Sequence, residues 1–477
     1  MSVMQTEDLK KLVRNIHKIK CESQNIEAKA AEKGCPTRLF DTLSSFSNQD
    51  DGGIIVFGLD ERDGFSLKGV YDVQDLQKKV TEQCKQMEPP VRALFTVCEI
   101  DGKSVVSAEI PGADISERPV FYRGVGRMKG SYVRVGESDE HMSEYEIYSY
   151  EAFRKRIRND IRTTGNSNML LADENRMKKY LDAVVAERRN LAANVSHEEI
   201  LELMGITCGG APTLAGIMTF SKYPQAYFPQ LCITAVALPG TEMGIVGDDG
   251  ERFIDNRRIT GAIPDMLDEA VEFVRKNSRT KTIIDEYGRR HDKEEYPIKA
   301  VREAILNALV HRDYSVHTEN LPIRIEMYRD RMEITNSGGL YGRISIDALG
   351  KVHPETRNAI LANMLELLKI TENRYSGIPT MQMELSKAGL PAPKFSVVHG
   401  EFKVVMKNGY NKEAMSVSDS IVEYCCTPRT RSELIAFTGK SRTYTMSQMV
   451  QPLVDSGRLK MTLPEKPKSS KQKFIKA

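Results

Sequence analysis

The sequence predicts a multidomain chain of α/β and α+β class, and three observations carry that reading. At 477 residues the chain exceeds the about 250–300 residues that one core usually supports. Its amino-terminal third alternates helical patterns with short apolar runs such as Ile54–Leu59, Leu94–Ile100 and Ser104–Ile110, as a mixed sheet with helices does. Residues 415–477 read helix, turn, helix, turn, long helix, and then a lysine-rich segment.

Composition narrows the class. Apolar residues are 40% and charged residues 28%, which describes an ordinary soluble protein. No apolar run approaches the roughly 18 residues of a membrane span. Met1–Lys20 is charged throughout and lacks the apolar stretch of a signal peptide, so a cytoplasmic protein is expected. The eight cysteines form no CxxC pair, and adjacent Cys425–Cys426 is not a zinc spacing, so reduced thiols are expected. A net charge of +2 does not by itself imply nucleic acid. Its distribution says more: Lys460–Lys476 holds six lysines against Glu465, a solvated tail or a phosphate contact.

Residues 1–155 form the first predicted domain. It opens with a helix over Thr6–Lys20 and a strand over Glu22–Lys29. Leu39, Phe40, Leu43 and Phe46 make a helical stripe within Thr37–Asn48, and Asp50–Gly53 is a turn before Ile54–Leu59. Ser131–Val135 is a later strand. Polar Lys155–Arg176 reads as a linker. A middle domain, 177–290, holds a helix-turn-helix-like segment. Ser196 and Glu199 form a capping box, Gly209–Pro212 breaks the chain, and Thr213–Phe220 is a second helix. Leu231–Ala237 reads as a strand, Ile263–Lys276 as an amphipathic helix, and Lys276–Glu295 as exposed charge.

Residues 291–410 carry the chemistry. Glu303, Asn307 and His311 are spaced by four and share one helical face. The intervening Ala304–Leu306 and Ala308–Val310 are apolar, so the helix is buried and its polar row needs partners. Asn307 offers a neutral oxygen of the kind magnesium takes beside phosphate and water. Glu303, one turn earlier, suits a base for water. Arg331–Leu340 then reads as a strand followed by Gly338-Gly339. A buried polar network that only fixes the fold is the alternative.

Together these residues resemble the nucleotide-binding boxes of the GHKL ATPases. The resemblance implies an α/β sandwich binding ATP and Mg2+, with Asn307 as the magnesium ligand and Glu303 as base. The family's adenine-reading acid is here Asn336, with Gly338 and Gly339 letting the backbone approach the base. Arg357 and Asn358 fall where a nucleotide lid would sit, His311 lies beside the site, and Gly377 opens a phosphate-binding helix. The acid replaced by Asn336 and the single Gly377 imply a nucleotide-sensing pocket, at most a weak ATPase.

The first domain resembles the Schlafen/AlbA-type nucleic-acid-binding domain through Glu22, Glu27, Lys29, Phe46-Ser-Asn48, Gly52-Gly53, Phe57–Asp60 and Tyr132–Gly136. That order of domains resembles bacterial regulators also called RecG-like, although no GxxxxGK[ST] loop is present to support a helicase. The resemblance implies Glu22, Glu27, Lys29, Asp60, Arg123 and Arg134 near nucleic acid. Residues 415–477 read as a winged helix-turn-helix, with Arg442, Lys466 and Lys468 as phosphate contacts. The expected function is a nucleotide-regulated, DNA-binding transcriptional regulator, with DNA favoured over RNA, no membrane, and a homo-oligomeric state. The alternatives are a metal-dependent Schlafen-like RNase using Glu22, Glu27 and Asp60, or a scaffold with a degenerate ATPase fold.

Overall fold

The computed structural model describes residues 4–164, 172–188, 195–247, 250–284, 290–353, 355–371, 376–398, 400–409, 417–467, 469 and 472–477. They form two compact units. One comprises residues up to 237, 253–327 and 333–406; the other comprises 238–252, 328–332 and residues from 407 onward.

The first unit begins with α1 (Thr6–Ile19), β1 (Ile26–Lys29), α2 (Phe40–Ser47), β2 (Gly53–Phe57), α3 (Val73–Cys84), β3 (Leu94–Ile100) and β4 (Lys103–Ile110). The strands form one mixed sheet in the order β1-β2-β4-β3, with β1 and β2 parallel. Strand alternation divides β2 between two cores. Ile55 and Phe57 join Leu43, Phe46 and Val80, whereas Val56 meets Leu9, Val13 and Ile16 of α1. Those three α1 residues recur at helical spacing and form its buried stripe. A hairpin follows, β5 (Tyr132–Val135) and β6 (Ser138–His141). Ser143 and Glu146 then form a capping box that starts α4 (Glu144–Arg154).

The stretch expected as a linker is partly packed. Asp160 is fully buried, and its Oδ2 accepts the Ile360 N–H at 2.8 Å. It therefore caps a helix far away in sequence, which no local pattern announces. Beyond it come α5 (Glu174–Glu187), α6 (His197–Leu203) with its expected Ser196–Glu199 capping box, and α7 (Leu214–Phe220).

A six-stranded sheet dominates the rest of the chain. Its strands are β7 (Ile233–Ala237), β8 (Asp255–Ile259), β11 (Ile323–Met327), β12 (Arg331–Ser337), β13 (Lys394–Val398) and β14 (Glu401–Lys407). They run in the order β8-β7-β11-β12-β14-β13. β7 pairs in parallel with β11, Ile233 opposite Ile323. The boundary expected at residue 290 therefore falls within a single layer, because parallel partners need a long crossover that leaves no local signal. The charged segment before residue 295 is a hairpin, β9 (Thr280–Ile284) with β10 (Arg290–Glu294). Helix α8 (Ile263–Asn277) packs on α9 (Ile298–His311), and α9 packs on α11 (Gly377–Lys387). Between the last two in sequence lies α10 (Ala359–Leu367), whose first turn Asp160 caps.

In the second unit, α12 (Val417–Tyr424) and α13 (Arg431–Thr438) precede a helical run over Arg442–Asp455. Strands β15 (Arg429–Thr430), β16 (Leu459–Met461) and β17 (Lys473–Lys476) form a small antiparallel sheet in the order β15-β17-β16. Thr430 and Glu433 cap α13, which ends at left-handed Gly439, as the sequence predicts. The long helix is not regular: Thr445–Val450 widens into a π-turn just before Pro452. Proline has no N–H to donate and crowds the preceding carbonyl, so the ladder shifts. Ile421, Leu434, Val450, Leu453 and Phe474 are among the core residues of this unit. Among the described residues, no helix is long and apolar enough to cross a membrane.

Candidate functional site

Helix α9 buries Ala304, Ile305, Leu306, Ala308, Leu309 and Val310, which leaves Glu303, Asn307 and His311 along a cavity of about 580 Å³. Among the described residues, the Asn307 carboxamide has no hydrogen-bond partner. The start of α11 lies against this face. A Cβ built on Gly377 would be 3.0 Å from Glu303 Oε2 and 3.1 Å from Asn307 Nδ2. A side chain at 377 would crowd both groups. Ser376 supplies no side-chain cap to α11. A helix N-terminus with open N–H groups favours an anion. Lys299, Arg302 and Lys369 line the same cavity. No motif singles them out in the sequence, although Lys299 is one turn before Glu303 and so on its face.

Glu303 and His311 are two turns apart, ~12 Å along the axis, so the cavity has a second end. There lie Asn336, Gly338, Gly339 and Arg357, and β12 delivers the first of them. Arg357 is only 8% exposed. Its Nη2 donates to the Gly339 carbonyl at 3.1 Å, its guanidinium lies 5.2 Å from the Tyr341 ring centroid, and its buried Nη1 has no partner among the described residues. An unpaired buried donor is costly, and this one lies packed against Gly338. Gly338 has φ +102°, and a Cβ there would meet the Asp313 backbone nitrogen at 2.8 Å. This turn accepts no larger residue without moving the chain.

His311 lines the cavity and is exposed to it, while the cavity wall crowds the ring. Burial, and then the nearby Arg357 charge, push its imidazole down to about 4, so it is neutral near pH 7. Asn358 is placed differently from its neighbours. It is buried, and its amide donates at 2.8 Å to the carbonyls of Val310 and Arg312. It ties off the end of α9 and does not line the cavity. Of the nine residues expected around a nucleotide, eight line this cavity.

The amino-terminal acids gather elsewhere in the same unit. A turn at Ser23–Asn25 precedes β1, so Glu22 and Glu27 need not alternate along one strand. Glu22 Oε1 accepts the Ala28 N–H at 2.7 Å. Arg134, only 4% exposed, places Nη2 2.8 Å from Glu27 and 3.6 Å from Glu22, and Nη1 3.0 Å from Asp139. Lys29 pairs with Glu27. Arg134 is thus enclosed by carboxylates and leaves no face for a phosphate. Asp60 accepts from the Arg62 N–H and caps the 61–63 turn. Among the described residues, no group of three or more His, Cys, Asp or Glu side chains could hold a metal ion. Arg123 and Lys129 are exposed, whereas Tyr122 already stacks on Phe40 at 3.7 Å.

Burial pushes Glu22 up to about 7, helped by the adjacent Glu27 charge and opposed by the Ala28 hydrogen bond. A carboxyl raised above its unfolded value stabilises the fold fully below that value. It loses this contribution as pH rises through about 4.5 to 7. Glu22→Gln is therefore expected to stabilise the chain above pH 7, by about 1 kcal/mol, and to flatten the fall between those limits. Chemical denaturation at pH 5 and pH 8 reads both, and a loss of stability at pH 8 would refute the assignment.

In the second unit, Arg442 and Lys466 are exposed. Lys468 lies outside the described residues.

Comparison with known proteins places two segments. Residues 22–143 match the family model described as Schlafen, AlbA_2. Residues 321–406 match the HATPase_c_4 model, described as "Putative ATP-dependent DNA helicase recG C-terminal". That match starts after α9, so Glu303 and Asn307 join it only through the fold. Among curated proteins no match is found. The crystal structure of the DIP2311 protein from Corynebacterium diphtheriae is similar at 16% identity over 95% of this chain and 93% of its own, with a TM-score of 0.41. A second similar structure is the N-terminal domain of a putative ATP-dependent DNA helicase RecG-related protein from Nitrosomonas europaea. It is 23% identical, covers 29% of this chain and 95% of its own, and has a TM-score of 0.24. This chain therefore carries, in one polypeptide, a segment that matches the Schlafen, AlbA_2 model and a segment that matches the HATPase_c_4 model.

Proposed function

We propose that the chain binds a nucleotide with magnesium in the cavity between α9 and α11, and that this ligand regulates nucleic-acid binding by its other modules. The observation that carries the reading is the seating of Gly377 against Glu303 and Asn307. It gathers a neutral oxygen ligand, a carboxylate and a helix N-terminus at one end of a cavity of nucleotide size. Asn307 would hold the magnesium ion, which neutralises phosphate charge when bound. Lys299, Arg302 and Lys369 would meet phosphates, while Asn336, Gly338, Gly339 and Arg357 would meet the base. If the ligand turns over, Glu303 is the residue that takes the proton of the attacking water. ATP is the ligand that the GHKL resemblance implies, and the six-stranded sheet with α8, α9 and α11 is read as the GHKL-type sandwich.

Residues 415–477 are read as a winged helix. The run from Arg442 is its recognition helix and β16–β17 its wing, with Arg442 and Lys466 exposed to phosphates. On the amino-terminal domain, Arg123 and Lys129 are among the exposed cations available to a phosphate backbone. A DNA-binding transcriptional regulator that acts as a homo-oligomer suits this set.

Isothermal titration with ATP and magnesium tests the reading. Binding is expected for the wild type and at least tenfold weakening for Asn307→Ala, since about 1.4 kcal/mol is lost with one charge-assisted contact. No heat with the wild type refutes a nucleotide site. Equal affinity in the variant refutes the role of Asn307.

A further inference from the structure

The cavity wall at residues 336–343 is held at three points by residues outside the sheet that bears it. Tyr145, on α4, donates its hydroxyl to Asp313 Oδ2 at 2.9 Å. Asp313 is 4% exposed and follows directly on α9; its backbone N–H donates to the Ser337 carbonyl at 2.8 Å. The next residue, Gly338, donates to the Gly400 carbonyl at 2.8 Å. Gly400 has no room for a side chain because a Cβ would lie 2.6 Å from the Tyr145 ring. Tyr145 thus wedges between the two segments that hold the cavity's glycine turn. Phe153, also on α4, meets the Tyr341 ring edge-on at 5.3 Å, and Tyr341 carries the Arg357 guanidinium. Arg343 makes a two-pronged ion pair with Asp114, at 3.0 and 3.3 Å.

The other side of α4 belongs to the amino-terminal domain. Tyr150 sits beside Arg118, which itself bonds the Gln49 carbonyl and the Asp50 carboxylate, each at 2.8 Å. The helix begins just after the β5–β6 hairpin that carries Arg134 and Asp139. One short helix therefore touches the wall of one module and the frame of the other. Burial and the Asp313 charge raise the Tyr145 hydroxyl well above the ordinary phenol range, so it remains a donor at every working pH.

We propose that Tyr145 is a positioning residue through which the amino-terminal domain completes the cavity and responds to what fills it; this rests on the reading of the cavity as a nucleotide site. A ligand that engages Arg357 and the Gly338 turn acts on the Asp313–Tyr145 bond, and through it on α4. Because binding linkage is reciprocal, nucleic acid on the amino-terminal domain changes the affinity of the cavity by the same factor.

Hydrogen exchange of the full chain, with and without ATP and magnesium, tests this. In the wild type, nucleotide is expected to slow exchange at 298–311 and also at 144–154. In Tyr145→Phe, which keeps the ring against Gly400 but removes the bond to Asp313, the slowing at 298–311 persists. The slowing at 144–154 falls at least threefold. A merely structural role would speed exchange at 144–154 equally in both states and leave the nucleotide-dependent difference intact, which would overturn the proposal. Protection at 298–311 with no response at 144–154 in the wild type overturns it too. No response at either segment refutes the nucleotide site instead, and the proposal with it. Should Tyr145→Phe fail to fold, Arg343→Gln removes the exposed tether to Asp114 and is expected to weaken the 144–154 response; an undiminished response would overturn the proposal.

Discussion

Gly377→Ala is expected to weaken nucleotide binding more than tenfold while leaving the fold as stable as before, or slightly more so. The two effects separate because they arise in different places. Gly377 is the first residue of α11 and has no positive φ that would require glycine. Alanine gains up to about 1 kcal/mol over glycine in a helix, less at its first turn. The new methyl, however, would stand 3.0 Å from Glu303 Oε2 and 3.1 Å from Asn307 Nδ2. It occupies the place where a phosphate would approach α11 and pushes the two side chains apart. The expected loss is more than tenfold in affinity, about 1.4 kcal/mol or more. The checks are titration calorimetry with ATP and magnesium and a thermal melt without ligand. Unchanged affinity would remove α11 from the site. A large fall in melting temperature would show instead that Gly377 serves packing.

Arg134→Ala is expected to destabilise the amino-terminal domain by about 3–5 kcal/mol. The guanidinium is 4% exposed and faces Glu22, Glu27 and Asp139. Removing it leaves three buried or nearly buried carboxylates without their cation, and breaking such a network costs about 3–5 kcal/mol. That is a large share of the roughly 5–15 kcal/mol that holds a typical domain. Equilibrium denaturation should show the loss, and adding Glu22→Gln and Glu27→Gln should recover part of it. A residue that only contacts phosphate behaves differently. Its loss would leave stability unchanged and reduce the salt dependence of nucleic-acid binding by about one ion. That second pattern would return Arg134 to the nucleic-acid interface.

Local signals in this chain are strong, and the elements that depend on them are where the sequence places them. The capping boxes at Ser196–Glu199 and Thr430–Glu433 start helices, and Gly439 ends one, because capping is decided within a few residues. The spacing of Glu303, Asn307 and His311 puts them on one face because helical period is also local. Asn336 lies at the end of β12 and the glycines at 338 and 339 follow that strand. What needed the tertiary structure is long-range. The parallel pairing of β7 with β11 merges two segments that composition separates, and Asp160 caps a helix from across the chain. Arg134 reads as a surface cation in sequence, since arginine usually is one, until two acids from the start of the domain and one from its own hairpin are seen around it. Asn358 and Arg357 are adjacent and polar, yet one ties off α9 and the other enters the cavity. Sequence by itself determined which residue types stand ready for nucleotide chemistry. Only the fold decided which of them meet, because a helix period sets a face, whereas the partner across that face comes from elsewhere in the chain.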